Sequence, residues 1–435
     1  MTNGGNGTSG RRVAIVMGLR TPFVKSGTGF ADLSAVDLGT LVVSELVQRS
    51  EIDPKEIQSL VFGEVVPSPL DTLIAREVAL RSNLPKSVEA HTVSRACTTS
   101  IQAMASCHDA IVLGRCEVAI AGGAESLSDA PLFASRPLAK ALIEASRGKT
   151  MAAKLGAFRK LTLKDMAPTP PSIKEPTTGL TMGESAEKMA RENGIRREDQ
   201  DKLAFESHKR ASAAIEAGKF KDEVMAVSVP PKFKTVVAED NIVRKDTTLE
   251  ALSGLRPVFD KKNGTITAGN SSPLTDGAAA LLLMSEEKAK ALGYTPLGFI
   301  KSFAFAAIDP ADQLLMGPAW STPVALDRAR LKMKDMDLVD MHEAFAAQVL
   351  SNLQAFGSKE FARKKLGRDE AIGEVDPSKL NVNGGSIALG HPFAATGARM
   401  VTQTLRELAR RGGQHALLTL CAAGGMGASV VLERA

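Results

Sequence analysis

Short apolar runs alternate along this chain with stretches whose apolar positions recur every three or four residues, the alternation expected of an α/β protein. Arg11 to Met17 reads as a buried strand ending at Gly18, and Leu33 to Arg49 as a helix with Leu33, Val36, Leu41 and Leu46 on one side. Ile57 to Val66 predicts a second strand. Glu89 to Val93 predicts a short one leading into Ser94–Ser100, with helix continuing to about Leu113. Glu117 to Ala121 is a strand closing on Gly122-Gly123. The texture changes from about Ser128 to Pro257, which is richer in charge and proline and carries one long helical pattern over Gly183–Ala217. Sheet-like runs resume at Thr265–Ser272, Ala278–Met284 and from Leu297; a helix over Ala394–Leu408 and a strand over Ala416–Leu420 follow.

The second set of runs echoes the first. Ile52–Glu64 resembles Met333–Glu343, and Glu117–Ser126 resembles Leu417–Gly427. Two copies of one βα unit flanking an insertion form a duplicated architecture. Aligned this way, Cys97 and His391 both fall at the start of the third helix of their halves, which would bring them face to face.

Composition narrows the function classes. The 435 residues are 44% hydrophobic but only 4% aromatic, so small aliphatic side chains and Met must fill the core. A formal charge of +5 without a basic stripe interleaved with aromatics does not indicate a nucleic-acid binder. The cysteines Cys97, Cys107, Cys116 and Cys421 include no Cys-x-x-Cys pair, so neither zinc-ligand spacing nor a disulfide scaffold is indicated. No segment approaches roughly eighteen uninterrupted apolar residues, and residues 1–10 read as a disordered tail without a signal-peptide core. A reducing cytoplasmic setting is expected. Between Arg136 and Lys164, eight basic residues meet only Glu144 before Asp165. That stretch reads as a solvated helical face, or as a surface for an anionic ligand, a membrane or a partner subunit.

The chemistry gathers at three positions, the last two of them held by glycines. Cys97 precedes a helix, where exposed amides and the helix dipole favour a thiolate. His391 stands in Gly390-His391-Pro392, and Cys421 ends a strand and opens the turn Ala422-Ala423-Gly424-Gly425. Singly, a cysteine or histidine in such surroundings is most often packing, and Cys107, Cys116, His91, His108, His208 and His415 are assigned to that class. A thiol paired with an imidazole is the arrangement of covalent catalysis. No Gly-x-Gly-x-x-Gly follows the first strand, which argues against a dinucleotide enzyme.

Four motifs occur in order: SRACTTS (94–100), DMHEAFA (340–346), ALGHPFAATGARM (388–400) and LCAAGGMG (420–427). Together with TMGESAE (181–187) and TAGNSSPLTDGAA (267–279), they resemble the thiolase family from about Arg11 to the C-terminus. The resemblance implies two βαβαβαββ halves forming a five-layered α-β-α-β-α core. The first half would be 11–128 completed by 258–290, the second 291–435, with a coenzyme-A-gripping loop domain inserted at 129–257. It implies Cys97 as acyl-accepting nucleophile, His391 as its activator and Cys421 as acid/base, with the backbone amides of Cys97 and Ala423 as oxyanion donors. Carried over in the same way, Ser272 (or Ser271), Met182 and Phe345 are expected near CoA or the acyl group, and His342 in the oxyanion hole. No metal and no permanently bound cofactor are expected, with coenzyme A as co-substrate. Two departures stand out: His342 where most thiolases carry Asn, and Ala423 where many carry Gly. Both resemble the β-subunit of fatty-acid oxidation complexes, which implies a 3-ketoacyl-CoA thiolase of β-oxidation. A homodimer core, a hydratase/dehydrogenase α-subunit in a heterotetramer and peripheral membrane contact through 136–164 would accompany that role. A biosynthetic acetoacetyl-CoA thiolase, a decarboxylating condensing enzyme and an inactive acyl-CoA-binding scaffold are the alternatives; Cys421 argues against the second, and the intact Cys97, His391 and Cys421 against the third.

Overall fold

A computed structural model describes residues 10–169 and 174–435. Except for Gly10, the expected N-terminal tail lies outside the described residues, as do Pro170 and Pro171. The first half comprises β1 (Val13–Arg20), α1 (Ala35–Ser50), β2 (Ser59–Gly63), α2 (Ile74–Arg81), β3 (Glu89–Val93), α3 (Thr99–Val112) and β4 (Val118–Glu125). The intervening segment carries α4 (Arg136–Arg147), α5 (Met182–Glu192) and α6 (Arg197–Glu216), after which β5 (Thr275–Ser285) returns to the first sheet. The second half comprises β6 (Gly298–Ala307), α7 (Gly317–Ala329), β7 (Leu338–Met341), α8 (Ala346–Gly357), α9 (Thr396–Arg411), β8 (His415–Ala422) and β9 (Met426–Arg434).

The duplication is visible in strand order. The first half reads β3-β2-β4-β5-β1; the second reads β7-β8-β9-β6, with Leu380 bridging Val339 in parallel where β3 lies beside β2. Short antiparallel pairing of Ala14 with Phe299 and Ile15 with Gly298 joins the halves through β1 and β6.

Successive strand residues point to opposite faces, and that alternation sorts the core into layers. On β5, Leu281 and Leu283 pack with Ile101, Met104 and Ile111 of α3 and with Val401 and Leu405 of α9. Their neighbours Leu282 and Met284 pack with α1 and α2. On β8, Leu418 and Leu420 join the same α3/α9 layer, while Leu417 packs outward with α7 and α8. The result is the α-β-α-β-α stack, with α3 and α9 sandwiched between the two sheet halves. Strands buried on both faces read as continuous apolar runs such as Ala278–Met284 rather than as alternating ones.

Five expectations are corrected. β1 continues through Gly18 to Arg20. The strand expected over Ile57–Val66 is shorter, Ser59–Gly63. β4 runs through Gly122-Gly123 to Glu125 instead of stopping. The glycines are there because a Cβ at 122 would meet the Ala279 carbonyl at 2.5 Å, and one at 123 the Ala394 carbonyl at 2.5 Å. Thr265–Ser272 is not a strand: Asn270 Oδ1 accepts from Thr267 N, and Glu187 accepts from Thr265 N and Ile266 N. The helical pattern over 183–217 divides into α5 and α6, separated by the turn at Asn193-Gly194.

Buried ion pairs tie the intervening segment to the core. Arg20, 1% exposed, donates to both oxygens of Asp240 (2.6 and 2.8 Å) and to Glu223. On α9, Glu407 accepts from Lys219, Asn383, Arg410 and Arg411. Burial alone would raise its pKa, but these donors outweigh it and hold the carboxyl down at about 2. A depressed folded-state pKa stabilises above the unfolded value and is lost as pH falls towards the folded one. Glu407→Gln should therefore cost roughly 2 kcal/mol at pH 7, with the gap to wild type closing from about pH 5 to pH 2. Urea melts at stepped pH would show it; a gap unchanged at low pH would rule out the charge as its source.

Candidate active site

Three loops deliver the reactive side chains to the same edges of the two sheet halves. After β3 the chain turns sharply: Ala96 adopts a left-handed φ of +45°, a strained conformation costing about 1–2 kcal/mol for a residue with a Cβ. Thr99 holds it, its N–H and hydroxyl both donating to the Ala96 carbonyl (3.0 and 2.7 Å). Cys97 is thereby set two residues ahead of α3. His391 N–H donates to Thr275 Oγ1, and its ring Nδ1 lies 2.6 Å from Thr396 Oγ1 at the start of α9. α3 and α9 meet directly, Ala398 N–H donating to Ser100 Oγ at 2.9 Å. The pseudo-symmetry expected from the repeat is realised: Cys97, His342 and His391 bring Sγ and ring nitrogens within 4.8 Å of one another.

The two rings stand side by side, centroids 4.1 Å apart. In each, Nδ1 bonds a hydroxyl, Ser386 for His342 (2.8 Å) and Thr396 for His391. In each, Nε2 is buried without a hydrogen-bond partner among the described residues. Orphaned polar atoms on buried rings are costly unless a ligand completes them. The compact Cys-His-His set also has the donor types that a soft divalent cation takes.

Cys421 is buried at the end of β8, with Gly424 and Gly425 beyond it in the left-handed region (φ +78° and +68°). That turn folds the Ala423 N–H back onto the Cys97 sulfur. Glu175 from the intervening segment accepts from Gly424 N–H at 2.9 Å. Above Cys97 opens a cavity of about 360 Å³ whose lining includes Val65, Val66, Phe133, Met182, Phe393 and Ala423. Ser272 and Phe345 do not line it. They stand behind the His342 turn, where Ser272 N–H donates to the Ala344 carbonyl and Phe345 pairs with Ser271. Ser271 Oγ is committed to the Thr267 carbonyl.

The electrostatics overturn one expectation. Burial, the dominant effect, pushes the Cys97 thiol up to about 12, and the amides of Ala423 and Cys97 recover only part of that. Burial and the nearby Arg399 take His391 down to about 3. The resting pair is thus neutral thiol and neutral imidazole, because a dry site penalises both charges more than a helix N-terminus rewards one. Burial, with the Cys97 charge second, likewise keeps Cys421 protonated.

Sequence reasoning missed the residues that hold this arrangement. Glu125 accepts from Val65, Val66 and Ala394 N–H, lacing together loops of both halves; burial raises its pKa to about 7. Glu343 accepts from Ser207, Asn381 and Ile387 N–H. An acidic residue at the end of an apolar strand was the available signal for both. Of the residues assigned to packing, Cys107 donates to the Ile120 carbonyl and His208 accepts from Arg244 N–H.

A duplicated five-layer α/β core that sets one cysteine at the floor of a cavity, with two histidines and a second cysteine buried beneath it, is an acyl-transfer architecture. The profile described as "Thiolase, N-terminal domain" matches residues 13–287, and that described as "Thiolase, C-terminal domain" matches 294–434. The chain belongs to the thiolase family. It is 53% identical to a 3-ketoacyl-CoA thiolase of Shewanella halifaxensis and 54% identical to one of Escherichia coli O157:H7, each over 98% of this chain and 97% of the relative. Among solved structures, it superposes on a Bacillus anthracis acetyl-CoA acetyltransferase with a TM-score of 0.85 at 32% identity, covering 98% of this chain and 99% of that one. Human mitochondrial 3-ketoacyl-CoA thiolase in complex with CoA gives 0.82 at 33% identity, covering 98% of both chains.

Proposed function

We propose that this chain is a 3-ketoacyl-CoA thiolase of fatty-acid β-oxidation, cleaving its substrate with CoA through an acyl-Cys97 intermediate. The observation that carries the reading is the convergence of Cys97, His391, His342 and the Ala423 amide beneath one largely apolar cavity. Cys97 Sγ attacks the 3-keto carbon while its proton passes to His391 Nε2. The C2–C3 bond breaks, and the acetyl-CoA enolate takes the Cys421 thiol proton at carbon. Incoming CoA then gives its thiol proton to the Cys421 thiolate and attacks the acyl group, releasing acyl-CoA two carbons shorter. His391 returns its proton to the leaving Cys97. Between the two half-reactions the His391 imidazolium and the Cys421 thiolate carry opposite charges, so the buried site gains no net charge. The amides of Cys97 and Ala423, together with His342, stabilise oxyanions on the thioester or keto oxygen.

CoA enters as co-substrate along residues 129–257, with Met182, Ser272 and Phe345 towards the pantetheine or acyl chain. Met182 lines the cavity, which supports its part; Ser272 and Phe345 rest on motif alignment. The basic stretch 136–164 also exposes Leu142, Ile143, Met151, Leu155 and Leu163. Exposed apolar side chains among lysines and arginines favour a partner or membrane surface over a merely solvated face. Among the described residues, no helix is long and apolar enough to cross a membrane. The reading includes a cytoplasmic homodimer core with a hydratase/dehydrogenase partner.

The test is CoA-dependent cleavage of 3-ketoacyl-CoA substrates from short to long chains, with and without that partner. Cleavage extending to long chains is expected. Turnover confined to acetoacetyl-CoA would replace the degradative reading with a biosynthetic one. Silence even with the partner present would leave an acyl-CoA-binding scaffold.

A further inference from the structure

We infer that Arg399 and Ser386 act as a positioning pair that locks His342 as the neutral Nε2–H tautomer, making it a fixed hydrogen-bond donor towards the reacting oxygen while His391 serves as the proton acceptor. The inference rests on the thiolase reading for the role of that donor, but not for the placement of the proton.

The argument is a count of hydrogens. Arg399 lies on α9, 1% exposed, and its Nη2 is 3.0 Å from Ser386 Oγ. A guanidinium only donates, so this contact occupies one lone pair of the serine. The other contact of Ser386 Oγ is His342 Nδ1 at 2.8 Å. If Nδ1 carried hydrogen, the serine would accept twice and its own O–H would be buried without an acceptor among the described residues. Leaving such a donor unmade costs about 1–3 kcal/mol. If the serine donates to Nδ1, the three atoms in contact, Arg399 Nη2, Ser386 Oγ and His342 Nδ1, are all paired. The hydrogen of a neutral His342 then sits on Nε2, the atom left unpartnered beside Cys97 and His391.

A charged ring is opposed on the same grounds. It would again orphan the serine hydrogen, in a fully buried setting that also holds the Arg399 cation and the second imidazole. The backbone fixes the ring further: His342 N–H donates to the Thr419 carbonyl, and the adjacent Glu343 carboxylate accepts from Ile387 N–H beside Ser386. Two adjacent imidazoles therefore take opposite parts. His391, whose Nδ1 can donate to Thr396 Oγ1, offers a lone pair at Nε2; His342 offers a proton. A neutral imidazole is a competent oxyanion donor that does not release its proton during turnover.

The experiment is tautomer-resolved ¹⁵N NMR at pH 7 on full-length protein labelled at its histidine ring nitrogens, with His342 assigned by its absence in His342→Asn. The chain has only six histidines. A pyrrole-like Nε2 and a pyridine-like Nδ1 for His342 are expected in wild type, with Ser386→Ala losing that preference. Kinetically, Ser386→Ala should lower kcat about tenfold with little change in KM, a fraction of the roughly 100- to 1,000-fold cost of removing an oxyanion donor outright. Ser386→Thr, which keeps the hydroxyl, should recover most of both signals. Hydrogen on Nδ1 or an imidazolium at pH 7 would overturn the assignment even if the enzyme proved to be a thiolase. An unchanged His342 spectrum with full kcat in Ser386→Ala would do the same. If Ser386→Ala failed to fold, the wild-type spectrum alone would still decide where the proton lies.

Discussion

Cys97→Ala is expected to reduce thiolysis by at least about 10⁴-fold, because no other group in the site can carry the acyl chain and nucleophile losses are of this order. Its Cβ stays in the strained turn and the hydroxyl and amide bonds of Thr99 remain, so the fold and CoA affinity should persist. The measurements are turnover with a 3-ketoacyl-CoA, intact mass after exposure to acyl-CoA, and CoA titration. Wild type should gain the mass of one acyl group and the variant none. A variant retaining turnover within about 100-fold of wild type, or still acylated, would move the nucleophile elsewhere, and Cys421 would be the first place to look.

Cys421→Ala is expected to separate the two half-reactions. Acylation of Cys97 by a simple acyl-CoA should continue at a reduced rate, since the Cys97 proton goes to His391 and CoA can leave as a thiolate, which needs far less help from an acid than a carbon leaving group. Carbon–carbon cleavage should fall by roughly 10²- to 10⁴-fold, the usual contribution of a positioned acid/base. The thiol is suited to that role because burial keeps it protonated at rest, ready to donate to the enolate carbon. Exchange of labelled CoA into acyl-CoA, compared with 3-ketoacyl-CoA cleavage, reads the two steps apart. A cleavage loss no larger than the loss in exchange would mean that Cys421 is not the acid for the enolate carbon, and undiminished cleavage would remove it from the mechanism.

Much of the site was legible along the chain because its chemistry sits in short, local motifs. Cys97 before a helix, His391 between Gly390 and Pro392, and Cys421 at a strand end each stand in a short motif of immediate neighbours, and it was the four motifs in order that singled them out. The supporting groups were not legible for the opposite reason. Arg399 and Ser386 meet across 13 residues of chain and Glu125 reaches Ala394 across 269; the first two stand in contexts that do not distinguish them from ordinary polar residues, and Glu125 is marked only as an acid at the end of an apolar strand. The same holds for Gly122 and Gly123, which look like a strand end but sit inside β4 because another backbone passes too close for a side chain.

The sequence by itself determined the duplicated α/β architecture and which side chains to expect at the site. Periodicity, turn residues and short motifs are properties of neighbouring residues. Only the tertiary structure decided their protonation. A helix N-terminus taken alone promised a thiolate at Cys97; desolvation of the half-buried Cys97 at the floor of a cavity, where two halves of the sheet meet around α3 and α9, pushes the thiol up to about 12 instead. Desolvation depends on everything packed around a group, and no local stretch of chain carries that information.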